Sequence, residues 1–465
     1  MQKTLEPRHL SRIDKLLLDR EGTKPEESRE RRAGRALGIV VGDDARGSYG
    51  LQLALLTAVN LGARTFSSAC AVYVSADLAA SRNIVPVARG VTLHQAIVEL
   101  GGRVETTMGV TDDRPYLLLG NADPVGRALR VSFDGWKIAV GPAADLDRLQ
   151  ERDYCPLAGA AAAAIGLEEI FADFAGINIA ATRRVVITSL WRPDLGNDDF
   201  AGVGEAIGEL PSEVAMFGLG HLGQAYLWAY VALRHPDPAK ATVTLCDDDV
   251  LEPPNLETGA IATAGWLDKR KTRMAAQWLE DRGYKTRLLE RLIDNCFRRV
   301  DRDPVLALSG FDDNLPRQWL CEGGFVSMFD SGLGAEAFNF DTIAYRSWPN
   351  TRRAIDLWPI ETEEELAARE ARREKILGGG AYDDLGVDDC GRLRIAEKSV
   401  AVPFVGMYAA CTVLAEALKA VNGGPVFHEI KLRLCSLSGS GVQARLAEFR
   451  ASPMRGASVQ SVAGS

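Results

Sequence analysis

The chain alternates short, wholly apolar runs with longer apolar stretches of helical length, and it does so twice. In the first half, LGIVVGDDARGSYGLQLALLTAVN, from Leu37, passes from an apolar run through a turn bearing Gly42, Gly47 and Gly50 into an apolar helix. In the second, VAMF ends at FGLGHLGQA, with Gly218, Gly220 and Gly223, and passes into AYLWAYVAL. Each half then supplies further apolar runs, AVYV and YLLLGNAD in the first, VTLCD and VLALSGFDD in the second. Runs without polar alternation suit strands buried on both faces, which predicts mostly parallel sheets with helices on either side.

The halves also match residue by residue. PLAGAAAAAIGLEEIF and PFVGMYAACTVLAEAL agree without a gap at Pro156/Pro403, Gly159/Gly406, Ala162/Ala409, Ala163/Ala410, Leu167/Leu414 and Glu169/Glu416. At the same offset the strand-like VVITSL and LRLCSL both end in Ser-Leu. The expected fold class is therefore α/β, a duplicated Rossmann-like domain.

Candidate chemistry gathers in the second copy. Strand, glycine turn and apolar helix, in that order, bring backbone N–H groups and a helix N-terminus toward an anion. The next strand ends in Asp247, Asp248 and Asp249, where a carboxylate accepts ribose hydroxyls, although a solvated acidic loop explains Asp248 as well. Pro253 and Pro254 stiffen the loop before Asn255, and DKRKTRMAA places Lys271 at a helix start, against the dipole unless an anion compensates it. A solvated helix end suffices for Lys269, Arg270 and Arg273. LALSGFDDNLPRQWL delivers Asp312 and Asp313 to the same carboxyl edge, with Asn314 beside them and Arg317 close enough to restrain them, carboxylates suited to magnesium near phosphates. The first copy lacks the compact glycine spacing and the acidic cluster, which reads as one equipped copy and one degenerate scaffold. Two similar folds with separate jobs is the alternative.

At 465 residues the chain is long enough for two or three domains, and its net charge of −9 argues against a nucleic-acid partner. No uninterrupted apolar run approaches the roughly 20 residues of a membrane span and the first residues are no signal peptide, so the expected location is cytoplasmic, without membrane. The eight cysteines form no C-x-x-C pair, which argues against structural zinc and a disulfide framework.

FGLGHLG, CDDDVLEPPNL, KRKTRMAA and GFDDNLPR, in this order, resemble the ATP-binding motifs of the ThiF/MoeB superfamily, which includes ubiquitin-activating enzymes. The resemblance covers Val214 to Phe325 and returns at VAVPFVGMYAACTVLAEALK. The duplicated first half resembles the inactive adenylation domain of ubiquitin-like activating enzymes, most of all the bacterial ones of conjugation operons linked to antiviral defence. The resemblance implies an internal pseudo-dimer: an N-terminal arm at 1–30, an inactive adenylation domain at 31–210, an active one at 211–450 with a crossover and cysteine segment at 340–400, and a disordered tail at 451–465. It implies ATP and Mg2+, with Gly218, Gly220 and Gly223 at the phosphates, Asp247 on the ribose, Asn255 and Lys271 on phosphates, and Asp312 holding magnesium transiently. Asp249 and Asp313 join the nucleotide set. The implied partners are the C-terminal tail of a ubiquitin-like protein and a conjugating enzyme; whether two chains pair is left open.

The sequence also departs from the family. Thr258 stands where an arginine usually follows the loop asparagine, and Arg29, Arg31 and Arg32 are candidates for the arginine that another domain sends to ATP. Cys390, in the polar segment AYDDLGVDDCGRLRIAEKS, is the candidate nucleophile, with Arg392 and Arg394 near enough to offset Asp388 and Asp389. The other seven cysteines are expected to be packed. The rival readings are an adenylation-only sulfur-carrier enzyme, a nicotinamide-dependent oxidoreductase and a non-catalytic nucleotide fold.

Overall fold

The computed structural model describes residues 10–462 apart from 23, 35–36, 67–69, 106–113, 125, 196–199, 379–391, 393–394, 397, 438–440, 449–453 and 455. The apolar runs become two sheets. The first contains β1 (Gly38–Val41), β2 (Cys70–Tyr73), β3 (Gly102–Glu105), β4 (Tyr116–Leu119), β5 (Ala128–Asp134), β6 (Lys137–Pro142) and β7 (Val186–Ser189). Their spatial order is β3-β2-β1-β4-β5-β6-β7. After the short β8 (Glu209–Pro211), the second sheet contains β9 (Glu213–Phe217), β10 (Thr242–Cys246), β11 (Lys285–Leu289), β12 (Leu306–Ser309), β13 (Ser327–Leu333), β14 (Thr342–Trp348), β15 (Val426–Arg433) and β16 (Val442–Glu448). These lie in the order β11-β10-β9-β12-β13-β14-β15-β16. In each sheet the first five strands pair in parallel and the remainder antiparallel, so one path is traced twice.

Helices Tyr49–Phe66, Leu157–Phe174, His221–Val231 and Pro403–Asn422 pack on one another between the two copies. Their buried side chains join those of both sheets in one continuous apolar core. Polar groups cross the boundary inside it: Tyr49 donates to the Ala232 carbonyl at 2.9 Å, Trp228 Nε1 to Thr57 Oγ1 at 3.2 Å and Asn60 Nδ2 to the Ala260 carbonyl at 2.9 Å.

The internal echo has a physical cause at two of its positions. A Cβ on Gly159 would lie 2.5 Å from the Gly50 carbonyl, and one on Gly406 would lie 2.3 Å from His221 Nε2. Each glycine marks where the later helix of its copy crosses the start of the earlier one too closely for a side chain. Glu169 and Glu416 are likewise equivalent, since each is buried and accepts a backbone N–H, from Thr182 at 2.8 Å and Phe427 at 2.9 Å.

Four expectations change. The 340–400 stretch is not wholly crossover, because TIAYRSW buries every second residue and takes its place in the sheet as β14. LRLCSL is strand only to Arg433; Leu434–Ser436 is a tight 3-10 turn drawn in by Asp341, which accepts from the Cys435 amide and thiol. The tail is partly ordered, for β17 (Val459–Ser461) pairs with β8 and Gln460 clamps both backbone groups of Asp237. The arm does not end at 30, because the helix Pro25–Ala33 is held to the helix Arg12–Glu21 by the buried pair Arg32–Asp14 at 2.8 Å.

Lys419 and Glu416 form a fully buried pair 2.5 Å apart, and the Lys419 ammonium also donates to the Leu190 and Trp191 carbonyls of the first copy at 3.1 Å each. Removing one member of such a pair strands the other charge, so Lys419→Ala is expected to cost about 3–5 kcal/mol. Urea denaturation followed by circular dichroism measures this, and a midpoint unchanged from wild type contradicts it.

Candidate functional site

The carboxyl ends of β9, β10 and β12 open into a cavity of about 670 Å³. It brings together Gly218, Gly220, Asp247, Asp249, Asn255, Lys271, Asp312 and Asp313. The three glycines of the turn do different work. Gly218 has φ +76°, and a Cβ there would press on the backbone of Gly310, where the turns after β9 and β12 meet. Gly220 caps the helix His221–Val231 without a side chain and has open space around it, leaving the helix's first N–H groups toward the cavity. Gly223 does not line the cavity; a Cβ there would lie 1.9 Å from the Gly218 carbonyl, so it lets the helix fold back on the turn.

Asp247 organises this turn. Its carboxylate accepts the Leu219 N–H at 2.5 Å and the Asp249 N–H at 2.8 Å. Burial raises its pKa, and the Lys271 charge opposes the rise. Lys271, nearly buried at the first position of the helix Lys271–Glu280, holds the exposed Asp249 at 2.7 Å. Asn255 spends its side-chain oxygen on the Glu252 N–H at 2.9 Å, leaving its amide NH2 for the cavity it lines. Thr258 is buried and donates to the Pro254 carbonyl at 3.3 Å.

The two carboxylates after β12 part company. Asp313 caps the helix Asn314–Cys321 by accepting the Leu315 N–H at 3.0 Å. Asp312 is exposed at the cavity and makes no hydrogen bond among the described residues. Arg317 restrains the loop rather than its carboxylates: it donates to the Phe311 carbonyl, to Asn314 Oδ1 at 2.8 Å and to the buried Asp330 at 3.0 Å. Asp247, Asp248 and Asp249 each place a carboxylate oxygen within 4.8 Å of the others, a grouping that excludes Asp312.

Arg291 and Arg317 of the second copy line the cavity, and the arginine that the N-terminal arm sends into it is Arg12, not Arg29, Arg31 or Arg32. Arg29 lies 3.7 Å from Asp14, Arg31 pairs with Glu21 at 2.6 Å, and Arg32 is buried on Asp14. Arg32 also reaches Glu257 at 3.4 Å, and Ser11, which caps the first arm helix, donates to the same carboxylate. The arm is thereby clamped to the loop carrying Asn255, and Arg12 projects from its first position. Its guanidinium donates to Ser399 O and Oγ at 2.6 Å each. Burial lowers its pKa while Glu252 and Asp312 oppose that. The signal that marks Lys271, a cation at a helix start against the dipole, is equally present at Arg12 in RHLSRIDK.

The corresponding place in the first copy is filled. After Gly42 the chain makes a 3-10 turn, Asp43–Arg46, instead of a bare glycine cap. Asp44 accepts the Asn121 N–H at 3.1 Å and pairs with Arg148. A Cβ on Gly42 would lie 2.0 Å from Asn121 Oδ1.

Cys390 lies outside the described residues, as do Asp388, Asp389 and Arg394. Burial pushes the thiols of Cys70, Cys155, Cys246, Cys321 and Cys435 up to about 12, and Cys411 is also buried and raised. Cys296 departs from its expected packing and is exposed, because Asp294 and Asn295 turn the stretch around it into a loop.

A family profile described as the BilD N-terminal domain matches residues 36–190, and one described as the BilD C-terminal domain matches 210–424. The bacterial E1-like protein BilD of Collimonas sp. (strain OK412) is 32% identical over 401 residues, covering 85% of this chain and 84% of that protein. The chain belongs to the BilD family of bacterial E1-like proteins. Two solved structures are more distant. Escherichia coli MccB with ATP is 12% identical, covers 53% of this chain and 66%, just under two thirds, of that one, and has a TM-score of 0.32. PaaA is 14% identical over 51% of this chain and 73% of its own, also at 0.32. The N-terminal profile spans the whole first sheet, and the C-terminal profile takes in β9 to β14 and stops just before β15.

His221, wedged against Gly406 at the cavity floor, is neutral: burial lowers its pKa to about 4 and Arg12 adds to the effect, against a backbone hydrogen bond at Pro403. Since the folded value lies below the unfolded 6.5, this contribution to stability is complete above pH 6.5 and lost as pH falls toward 4. His221→Gln should therefore show a flatter acid arm of stability than wild type over that range, measured by thermal melts at successive pH values.

Proposed function

We propose that this chain activates a ubiquitin-like protein, using ATP and magnesium to adenylate the partner's C-terminal carboxylate and then capturing it on Cys390 for transfer to a conjugating enzyme. The observation that carries the reading is the convergence of an uncapped helix start at Gly220, the cations Lys271 and Arg12 and the unpartnered Asp312 on one cavity. Such a set suits a polyphosphate whose α-phosphorus is attacked by a carboxylate oxygen, with pyrophosphate leaving.

In this reading Asp247 accepts ribose hydroxyls, Asn255 and the N–H groups beyond Gly220 donate to phosphate oxygens, and Lys271 exchanges Asp249 for phosphate. Arg12 supplies the positive charge that Thr258 does not. Asp312 has the hard, unengaged oxygen that magnesium takes, and the ion would offset charge on the phosphates. Of the two copies adenylation uses only the second, joined by Arg12 of the arm; the first, whose turn is filled by Asp44, serves as the inactive half of an internal pseudo-dimer. The thiolate of Cys390 would then attack the acyl-adenylate carbonyl, forming the thioester and expelling AMP. A role in antiviral conjugation belongs to the same proposal and rests on the family resemblance, and a cytoplasmic setting is proposed with it on the sequence grounds given above.

One observation favours the adenylation-only alternative. Six of the seven described thiols are buried, so a thioester depends on Cys390 unless Cys296 serves.

Lys271→Ala, Asp312→Asn and Arg12→Ala are each expected to lower ATP–pyrophosphate exchange by about a hundredfold or more, as removal of a charge-stabilising group does. Full exchange in the Asp312→Asn protein is incompatible with this reading. Cys390→Ala should keep the exchange and lose the reducible adduct with the partner on a non-reducing gel; an undiminished adduct would move the nucleophile elsewhere.

A further inference from the structure

Beyond the cavity, the second sheet ends in β14, β15 and β16, and one face of these strands carries more cations than carboxylates. Arg346 of β14 stands opposite Asp330 of β13 on one side and Glu429 of β15 on the other, and Glu429 stands opposite Arg445 of β16. Both carboxylates are already engaged. Asp330 is buried and accepts from Arg317 at 3.0 Å and Trp358 Nε1 at 2.9 Å. Glu429 accepts from Arg352 at 3.0 Å and Arg445 at 2.6 Å.

Arg346 therefore has no hydrogen bond or ion pair among the described residues, and neither does the exposed Lys431 on the same face of β15. Burial lowers the Arg346 pKa, Asp330 and Glu429 oppose this, and Arg317 and Arg352 reinforce it. In a chain of net charge −9, the five cations Arg346, Arg352, Arg353, Lys431 and Arg445 around the two accessible carboxylates Glu429 and Asp356 leave a local positive excess that an anionic surface would relieve.

The position of this excess says which surface. Ala344 pairs with Gly332 on one side and Lys431 on the other, and Gly332 lines the cavity. Gly332 and Ala344 thus form a short strip of small residues between the cavity and the cations, with the Arg317 guanidinium 3.6 Å from where a Cβ on Gly332 would stand. We propose that this face receives the body of the ubiquitin-like partner through an acidic patch beside its C-terminal tail, with Arg346, Arg352, Lys431 and Arg445 as the contacting cations. The proposal rests on the adenylation reading, since a tail reaching Asp312 along the strip sets the partner's body over these strands. A nucleic acid suits the face less well, because the patch is small and the remainder of the chain repels a polyanion.

The test is ATP–pyrophosphate exchange with the small ubiquitin-like protein encoded beside this gene, comparing wild type with Arg352→Glu/Lys431→Glu/Arg445→Glu. The variant's KM for that protein is expected to rise about tenfold or more, with kcat and the KM for ATP within about twofold. The wild-type KM for the partner should climb between about 50 and about 300 mM salt while the variant's stays nearly flat. Lys431→Glu alone, whose native side chain touches no partner, should move the same KM in the same direction by less. Reversing acidic residues beside the partner's tail to lysine should restore the triple variant. An unchanged partner KM, or an equal rise in the KM for ATP, overturns the proposal, as does loss of binding to a DNA duplex without a change in partner KM. No exchange by the wild-type protein overturns the adenylation reading together with it.

Discussion

The four helices between the sheets are the constraint from which the rest of the molecule follows. Helix Pro403–Asn422 is apolar enough on all sides to span a membrane by length and composition, yet it is wholly buried. Such a helix cannot rest on one sheet with its other face in water. It needs a second apolar surface, and helix Leu157–Phe174 of the first copy provides it. The first copy is thus required for stability of the second whatever chemistry either performs. Gly159 and Gly406 allow the close crossings, and Lys419 ties the later helix to first-copy carbonyls without leaving its charge unpaired.

With the copies held together, small changes at one turn separate them. β1 and β9 arrive at equivalent places, but the chain after β1 makes a 3-10 turn that carries Asp44 into the space, while the chain after β9 leaves Gly220 bare. A helix start with unpaired N–H groups attracts anions, whereas one already faced by a carboxylate does not. The asymmetry lies in a handful of residues at the strand ends, with the core packing common to both copies.

How much of this was legible follows from what each feature depends on. Buried parallel strands are wholly apolar, so β1, β2, β4, β9, β10 and β12 stood out as runs, and the carboxyl ends of the last three carried the site with them. β14 escaped because one face of its alternating TIAYRSW is half-exposed and carries Arg346 opposite charged neighbours, a pattern that resembles exposed chain when read without its partners. β17 escaped because a three-residue strand is specified by the edge it pairs with, not by its own composition. Gly223 and Asp313 also have structural duties, a tight approach and a helix cap, that spacing alone does not reveal.

Arg12 was the residue most fully determined by the fold and least by its neighbourhood in sequence. It lies more than two hundred residues before the turn it faces, and it arrives there because Arg32, buried on Asp14 and within 3.4 Å of Glu257, fixes the arm over the second copy. Yet Arg12 and Lys271 share one physical anomaly, a cation at the first position of a helix. Each dipole is unfavourable to its own cation, and the two cations face the same cavity with Asp249 and Asp312 as counter-charges. Within the protein Lys271 is held by Asp249 and Arg12 by the Ser399 oxygens, which offset the dipoles only in part. Two helices that each present a cation at the first position to one cavity are what the proposed ATP reading rests on, since a triphosphate would offset both charges where a neutral or singly charged ligand would not.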